Sequence, residues 1–255
     1  MRRIAYKIFT FLLISAILFS CSKENTNFGT ITFDINPDVN VSVNNNTTKA
    51  SSVNTDNFEV FLNENSLGLK KDLTAPVIVA PGTYSVWAQS CSDQQANTSN
   101  GLLRFYGKTD NIVVEDQSDI TVTVNCKVVN SKISISLDDS YNNYFDSGFT
   151  TVTVSDGNRT LTIIQNGSPT TDAVYFDANK TITIKVNSKK TSANGTPHIV
   201  ETTQTITSVA ATWHKIAICV DLNLSGGITF TTQDSHVNDW ISISDYIPGS
   251  VEEDN

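Results

Sequence analysis

The clearest indication of the fold is the segment ITVTVNCKVV, residues 120–129. Apolar side chains occupy every second position from Ile120 to Val128, and the residues between them are polar. Side chains in a strand alternate between the two faces of a sheet, so this pattern predicts a long strand with one buried and one solvated face. Valine, isoleucine and threonine also favour extended backbone. We therefore expect a sheet that packs on one side against a core.

Similar alternating segments follow one another along the rest of the chain. Asn-Gly, Asp-Gly and Pro-Gly pairs separate several of them, as turns between strands do. Only one turn of helix is expected, around Tyr141, Tyr144 and Phe145. Many short strands at this spacing predict an all-β fold built of β-sandwiches. The predicted strands are 30–35, 58–62, 77–79, 84–90, 103–106, 111–114, 120–129, 132–137, 149–154, 160–164, 173–176, 181–186, 200–206, 213–224 and 228–231.

The two halves of the chain resemble each other in the spacing of these strands. The interval 58–126 is one residue shorter than the interval 149–218, and each contains a turn that is followed by a strand. The strands 133–137 and 228–231 then take the same place after each interval. This pattern predicts two copies of one sandwich.

The sequence predicts five parts in chain order. They are a signal peptide at 1–20, a tether at 21–28, a first sandwich at 29–131, a second sandwich at 132–235 and an acidic tail at 236–255. Asn130 and Ser131 alone separate the last strand of the first sandwich from the first strand of the second. A junction this short predicts restricted motion between the sandwiches.

The first twenty residues have the layout of a secretory signal. Basic residues precede an apolar stretch at 8–19, which is shorter than the roughly 20 residues of a transmembrane helix. The run Leu18-Phe19-Ser20-Cys21 resembles the bacterial lipobox, which implies cleavage before Cys21 and a lipid on that cysteine. Two or three acyl chains hold a protein firmly on a membrane. An ordinary signal peptide that ends near a free cysteine is the alternative.

The charge of the chain argues against a polyanionic partner. The formal net charge is −9, and the predicted signal peptide carries Arg2, Arg3 and Lys7, so the mature chain is more acidic still. We therefore expect no nucleic acid among its partners.

Beyond Cys21 the chain has three cysteines, Cys91, Cys126 and Cys219. An odd number cannot close a complete disulfide framework. Two interpretations of Cys126 are open. It forms a bridge to Cys91, or it packs as a small apolar residue, which its alternation with buried valines favours.

Two segments, APGTYSV at 80–86 and VNCKVVNSK at 124–132, accompany the lipobox and the tandem sandwiches. Together they resemble the fimbrillin-like lipoproteins of Bacteroidetes, and more narrowly a branch described only as a domain of unknown function. The resemblance covers nearly the whole mature chain and implies a pair of transthyretin-like Greek-key sandwiches. It also implies display on the outer membrane, for which Ser22-Lys23-Glu24 resembles the export signal. A periplasm-facing position is the alternative.

In shaft-forming members of that family, a protease cuts beyond the lipid cysteine and frees a groove for a neighbour's strand. Lys49-Ala50, in the polar loop 44–52, stands where that cut would fall. Removal of a strand exposes edges that can pair with another chain. The family is usually cut after arginine, however, so a permanently tethered lipoprotein is the alternative.

No residue pattern of an enzyme is found in the sequence. His198, His214 and His236 lack the paired spacing of a metal site, and no nucleophile elbow or phosphate-binding glycine loop occurs. The segment 138–142, DDSYN, is rich in oxygen ligands but lacks the glycine and closing glutamate of a calcium loop. We expect it to form an acidic turn that caps a short helix. The sequence therefore predicts a non-enzymatic protein without a cofactor.

Three tryptophans bear on the choice of function. Trp87 and Trp213 are interpreted as core or edge packing, whereas Trp240, near Asp239 and Asp245, is the candidate for contact with a glycan. The first hypothesis is adhesion or fimbrial assembly, with fimbrial subunits or a host ligand as partners. Glycan binding by a surface lipoprotein is the second. Assembly needs an accessible strand edge, whereas glycan capture needs exposed aromatic side chains side by side on one face.

Overall fold

The structure is a computed structural model that describes residues 27–38, 53–221 and 227–236. Within these residues the chain forms sixteen strands, two short α-helices and one 3₁₀ turn. The strands are β1 (Gly29–Pro37), β2 (Glu59–Leu62), β3 (Asn65–Leu69), β4 (Val77–Val79), β5 (Gly82–Gln89), β6 (Phe105–Val114), β7 (Asp119–Val128), β8 (Asn130–Leu137), β9 (Thr151–Ser155), β10 (Thr160–Gln165), β11 (Ser168–Pro169), β12 (Val174–Asp177), β13 (Thr181–Thr191), β14 (Pro197–Thr207), β15 (Thr212–Asp221) and β16 (Gly227–His236). The helices are α1 (Asp93–Ala96) and α2 (Asp139–Tyr144), and the 3₁₀ turn spans Lys70–Asp72. The predicted all-β sandwich fold is confirmed.

Strands β1 to β7, called the first half below, form one seven-stranded sheet in the order β3-β2-β5-β6-β7-β1-β4. β1 runs parallel to β7, and it runs antiparallel to β4. Two residue pairs join β6 to β7, Phe105 with Val128 and Tyr106 with Lys127. Val60 of β2 and Ile31 of β1 lie in the same core, although their strands are far apart in the sheet. The sheet therefore folds over on itself, and the β6–β7 pairing closes one side of the sandwich.

Strands β8 to β16, called the second half below, form two sheets. One has the order β11-β10-β9-β13-β14, and the other has the order β12-β8-β15-β16. Both sheets supply the second core, where Ile184 of β13 and Ile218 of β15 are fully buried. Within the described residues no strand pairing joins the two sheets, so this sandwich is open on both sides.

The two halves repeat one strand order, but not in the way that the sequence predicts. β1 lies between β4 and β7, and β8 lies in the same way between β12 and β15. In both cases the first strand runs parallel to the long one. β8 therefore corresponds to β1, and the predicted correspondence of 133–137 with 228–231 is wrong. The reason is that β16 returns as a hairpin partner of β15, whereas β8 passes into the second core.

Several elements differ from the predicted ones for local reasons. The segments 103–106 and 111–114 are not separate strands, because one strand, β6, runs from Phe105 to Val114 and a bulge opposite Ser85 takes up Asp110 and Asn111 without ending the pairing. The expected helical turn is present as α2. α1 was not predicted, although Ser92 and Gln95 form the reciprocal hydrogen bonds of a capping box, which is a signal visible in the sequence.

Contacts between the two halves involve the segment that begins with α1. Asn97 Nδ2 donates to the carboxylate of Asp177 in β12, with an N···O distance of 3.1 Å. The guanidinium of Arg159, which lies between β9 and β10, donates to the carbonyl oxygens of Ser99 and Tyr175. The Asn97–Asp177 and Arg159–Ser99 hydrogen bonds link the two sandwiches beyond the short connection from β7 to β8, whereas the Arg159–Tyr175 hydrogen bond lies within the second half.

The three cysteines in the described residues are free. Cys91 and Cys126 are both buried, and the interpretation of Cys126 as a packed thiol is confirmed. Burial raises the pKa of the Cys126 thiol to about 12. Cys219 lies on the half-exposed face of β15, opposite the face that buries Ile216 and Ile218.

Candidate ligand-binding face

The residues that the sequence singles out for a site are Cys21, Lys49, Ala50 and Trp240, and all four lie outside the described residues. The lipid anchor, the cut and the glycan contact of Trp240 therefore stay predictions. In the part of the chain that the structure describes, no helix is long and apolar enough to cross a membrane. Among those same residues, no three His, Cys, Asp or Glu side chains are placed to hold a metal ion.

Three aromatic side chains lie together on the outer surface of the first half. They are Phe61 of β2, Trp87 of β5 and Tyr106 of β6, and we call them the aromatic face. The alternation of side chains along a strand determines which face of the sheet they lie on. Because Val86 and Ala88 are fully buried, Trp87 between them is directed away from the core.

The strand register brings the three rings into contact. Phe61 lies directly opposite Trp87 across the β2–β5 pair. Their rings stack with centroids 3.5 Å apart and planes 4° apart. Tyr106 lies at a tilt of 41° to Trp87, with centroids 5.9 Å apart. Cross-strand aromatic pairs of this kind stabilise a sheet, so the aromatic face is a rigid surface.

The Trp87 ring is also fixed by a hydrogen bond to the turn between β2 and β3. Its Nε1 donates to the carbonyl oxygen of Asn63 at 2.7 Å. The Asn63 side chain holds the turn in place, because its Oδ1 accepts from the Ser85 backbone N–H at 2.9 Å. Asn63 adopts a left-handed φ of 54°, which asparagine tolerates better than most residues. A ring held in this way loses little conformational entropy when a ligand binds.

A shallow hollow of about 520 Å³ opens beside the aromatic face, and we call it the Trp87 hollow. Seven residues line the hollow. Two are aromatic, Trp87 and Tyr106, and five are polar: Asn63, Glu64, Asn65, Ser85 and Lys108. Lys108 lies directly opposite Trp87 on β6. A hydrogen bond to Asp110 raises the pKa of the Lys108 ammonium, so this group is a cation at neutral pH.

The far side of the aromatic face is bounded by Arg104. Its guanidinium lies 5.6 Å from the centre of the Tyr106 ring. It also pairs with the Asp93 carboxylate at 2.6 Å and donates to Gln89 Oε1 at 3.3 Å. This network holds Tyr106 from the side opposite the hollow. Aromatic carbon, amides, a hydroxyl, a carboxylate and an ammonium thus converge on one surface, which suits binding rather than bond breaking.

The interpretation of Trp87 as core or edge packing is wrong, because its ring lies on the outer surface, outside the first core, and β5 lies between β2 and β6 in the sheet. The alternation of Val86 and Ala88 with Trp87 was the signal that could have revealed this. Trp213 does pack against the first core, as predicted. Its ring also lies near the ammonium groups of Lys132 and Lys215, with distances of 4.3 and 4.2 Å to the ring centre.

The acidic turn at 138–142 caps a helix, as the sequence predicts. Asp138 Oδ1 accepts from the Tyr141 backbone N–H at 3.0 Å at the start of α2. It also accepts from Ser140 Oγ at 2.5 Å. The Ser140 hydrogen bond, followed by that of the Tyr141 N–H, lowers the pKa of the Asp138 carboxyl.

One strand edge also bears on function. β14 is eleven residues long and ends the five-stranded sheet, where it pairs with β13 among the described residues. Most of its side chains are exposed, and Ile199 is 66% exposed. Its carboxylate, Glu201, pairs with Lys185 of β13. A long edge with few charges can accept another strand, which is the feature that assembly requires.

Solved structures with similar chain traces come from Bacteroides species. One is described as "a putative adhesin" from Bacteroides thetaiotaomicron VPI-5482, with 10% identity, a TM-score of 0.43, and coverage of 83% of this chain and 98% of that chain. Another, described as "putative polysaccharide binding proteins" from the same strain, has 9% identity, a TM-score of 0.38, and coverage of 81% and 97%. A fimbrial protein from Bacteroides vulgatus ATCC 8482 has 9% identity, a TM-score of 0.34, and coverage of 82% and 99%.

Sequence comparison gives a family without a known activity. No curated protein matches the chain. One family model spans both sandwiches and extends from residue 27 to residue 243. The chain therefore belongs to the family described as a domain of unknown function, DUF4493.

Proposed function

We propose that the protein is a non-enzymatic adhesion protein of the cell surface that binds its ligand through the aromatic face. The observation that carries this proposal is the contact of Phe61, Trp87 and Tyr106 on the outer surface of the first half. Rings that contact one another outside the core leave apolar surface in water, and a bound partner would remove it. The hydrogen bond of Trp87 to Asn63 and the contacts among the rings hold them in place for that partner.

The proposed attachment is a lipid on Cys21, with the signal peptide 1–20 removed. The lipobox-like run that ends at Cys21 supports it. The residues that precede Gly29 would then connect the membrane to the first sandwich, placing the aromatic face in the membrane-proximal half of the protein. We propose two sandwich domains, 29–131 and 132–235, with restricted relative motion and an acidic tail, 236–255, after them.

The test is the adherence of cells that carry the protein to mucin-coated plastic and to epithelial monolayers. We expect cells without the protein to adhere less, and cells with Trp87→Ala to resemble them. Phe149→Ala is the matched control, since it removes a 53% exposed ring that does not belong to the aromatic face and lies just before β9 in the second half. Equal adherence of cells with and without the protein would refute the proposal.

Fimbrial assembly is the second candidate, and the position of β14 at the edge of its sheet, among the residues that the structure describes, favours it. In that case a cut after Lys49 would release the chain from Cys21 and expose a further edge. Electron microscopy of cells with and without the protein separates the candidates, because assembly predicts that filaments shorten or disappear. An intact lipidated Cys21 at the N-terminus of assembled material would argue against the cut.

A further inference from the structure

We infer that the ligand of the aromatic face is a neutral carbohydrate, held in the Trp87 hollow. This inference rests on the proposed function, because it names the ligand class of the same surface. It places the contact in the first half, on residues of β2, β5 and β6, rather than at Trp240.

The aromatic rings supply the apolar part of such a site. A pyranose ring presents C–H groups on one face, and these pack favourably against the π-surface of an aromatic side chain. Phe61 covers one side of the Trp87 ring, while Lys108 and Tyr106 lie on its other side, toward β6. The surfaces of Trp87 and Tyr106 that border the hollow are therefore the surfaces that a sugar would contact.

The polar residues of the hollow supply the second part. Hydroxyl groups of a sugar both donate and accept hydrogen bonds, so the site needs donors and acceptors close together. The Lys108 ammonium donates, the Glu64 carboxylate accepts, and the Asn65 amide does both. These three residues are exposed around the hollow. A surface of this composition matches a polyhydroxylated ligand better than a purely apolar one.

Charge favours a neutral sugar over an anionic one. Glu64 and Lys108 contribute opposite charges to the hollow, and Lys108 is further neutralised by Asp110 at 2.9 Å. The whole chain carries a formal net charge of −9. A sialylated or sulfated glycan would meet a repulsive field without a compensating cluster of cations.

A folded protein partner fits this surface less well. Protein interfaces have a fully buried core with a contiguous apolar area. The large apolar side chains that are strongly exposed in the described residues lie outside the hollow: Phe28, Ile78, Val113, Phe149, Ile199 and Val209. Polar residues thus surround the aromatic face, and the hollow beside it has the size of a small ligand.

The experiment uses the purified mature chain on a printed array of neutral, sialylated and sulfated oligosaccharides, followed by titration calorimetry with the best neutral glycan. We expect retention on neutral glycans. Trp87→Ala should weaken binding about tenfold or more, as the loss of one stacked ring predicts. Trp87→Phe, which keeps a ring, should recover part of the affinity.

A second variant, at an exposed residue, separates loss of binding from loss of folding. Lys108→Ala removes an exposed donor from the hollow and should weaken binding about threefold or more, as loss of one net hydrogen bond predicts. Its matched control is Lys185→Ala, an exposed lysine in the middle of β13 in the second half, which should leave binding unchanged. Circular dichroism spectra would establish that all variants are folded.

The outcomes separate this inference from the proposed function. The inference would be overturned if no neutral glycan on the array binds the protein, or if only sialylated or sulfated glycans bind. Full binding by folded Trp87→Ala and Lys108→Ala would also overturn it. If the array is empty but Trp87→Ala still reduces cell adherence, the ligand belongs to another class and the proposed function stands. If neutral glycans bind through Trp87 but adherence does not depend on the protein, the inference stands and the proposed function fails.

Discussion

The outer surfaces of the two halves differ although their strands follow the same order. In the first half, β2 and β5 carry the stacked pair Phe61 and Trp87 on the solvent side. In the second half, β9 and β13 take these places in the sheet, and Lys185 lies opposite Thr153 there. The outward residues of β13 are threonine, lysine and asparagine from Thr181 to Lys189. One scaffold thus presents an aromatic surface in one copy and a polar surface in the other.

The halves also differ in how their sheets end. In the first half the start of β6 pairs with both β5 and β7, and Gly107 makes this close approach possible, because a Cβ there would lie 2.3 Å from the Asn125 carbonyl oxygen. In the second half β16 occupies the corresponding edge of β15, and β14 contains no glycine. Among the described residues β14 is therefore an edge strand. Gly107 permits closure of the first half, whereas in the second half β16 already pairs with the side of β15 where a closing strand would lie.

Loss of a buried ring should have the largest effect on stability. Phe58 is fully buried and packs 5.8 Å from Phe105 in the first core, so Phe58→Ala should cost about 3–5 kcal/mol in the free energy of unfolding. If the proposed domains unfold separately, hydrogen exchange should accelerate in the first half and stay slow in the second. Phe149→Ala, at a 53% exposed site, should cost far less. Uniform acceleration along the chain would contradict separate domains.

Weakening the β6–β7 pairing in the first half should have the next largest effect on stability. Gly107→Ala places a methyl group against Asn125 and should cost about 1–3 kcal/mol by overpacking. Faster amide exchange at Phe105 and Val128 would show that the β6–β7 pairing has loosened. Gly82→Ala is the control, because its Cβ would meet its nearest neighbour at 3.6 Å, an ordinary contact. Equal stability of the two variants would show that Gly107 does not determine closure.

Loss of the α2 cap should have the smallest effect. Asp138→Ala removes the acceptor of the Tyr141 N–H and should cost about 1 kcal/mol at pH 7. The pKa of Asp138 is lowered in the fold, so its stabilisation is complete above the ordinary carboxyl pKa of about 3.9 and disappears as the pH falls through the lowered value. The difference between wild type and variant in urea unfolding should therefore shrink below about pH 4.

A control for this prediction is Asp116→Ala, which changes an exposed carboxylate in the first half. The free energy of unfolding of this variant should differ little from that of wild type, both at pH 7 and below about pH 4. A difference between wild type and Asp138→Ala that stays constant from pH 7 to pH 2 would mean that the charged form of Asp138 is not what stabilises α2.

The candidate site was only partly accessible to prediction. The sequence contains the alternation that directs Trp87 outward, since Val86 and Ala88 are of the apolar type that strands bury. It does not show that Phe61 and Tyr106 are neighbours of Trp87, because these residues come from three strands and meet only through the register of β2, β5 and β6. The hollow depends in addition on the turn at Asn63, whose carbonyl orients the indole.

Local sequence patterns were sufficient to predict the all-β fold, the outward and inward faces of strands such as β7 and β15, and the acidic cap of α2. These properties follow from backbone geometry over a few residues, which is the same wherever the strand lies. Three features depend on the tertiary structure: β8 enters the second core, β6 pairs with β7 while β14 is an edge strand among the described residues, and three rings share one surface. Strand neighbours are chosen by packing between distant segments, and no local pattern encodes that choice.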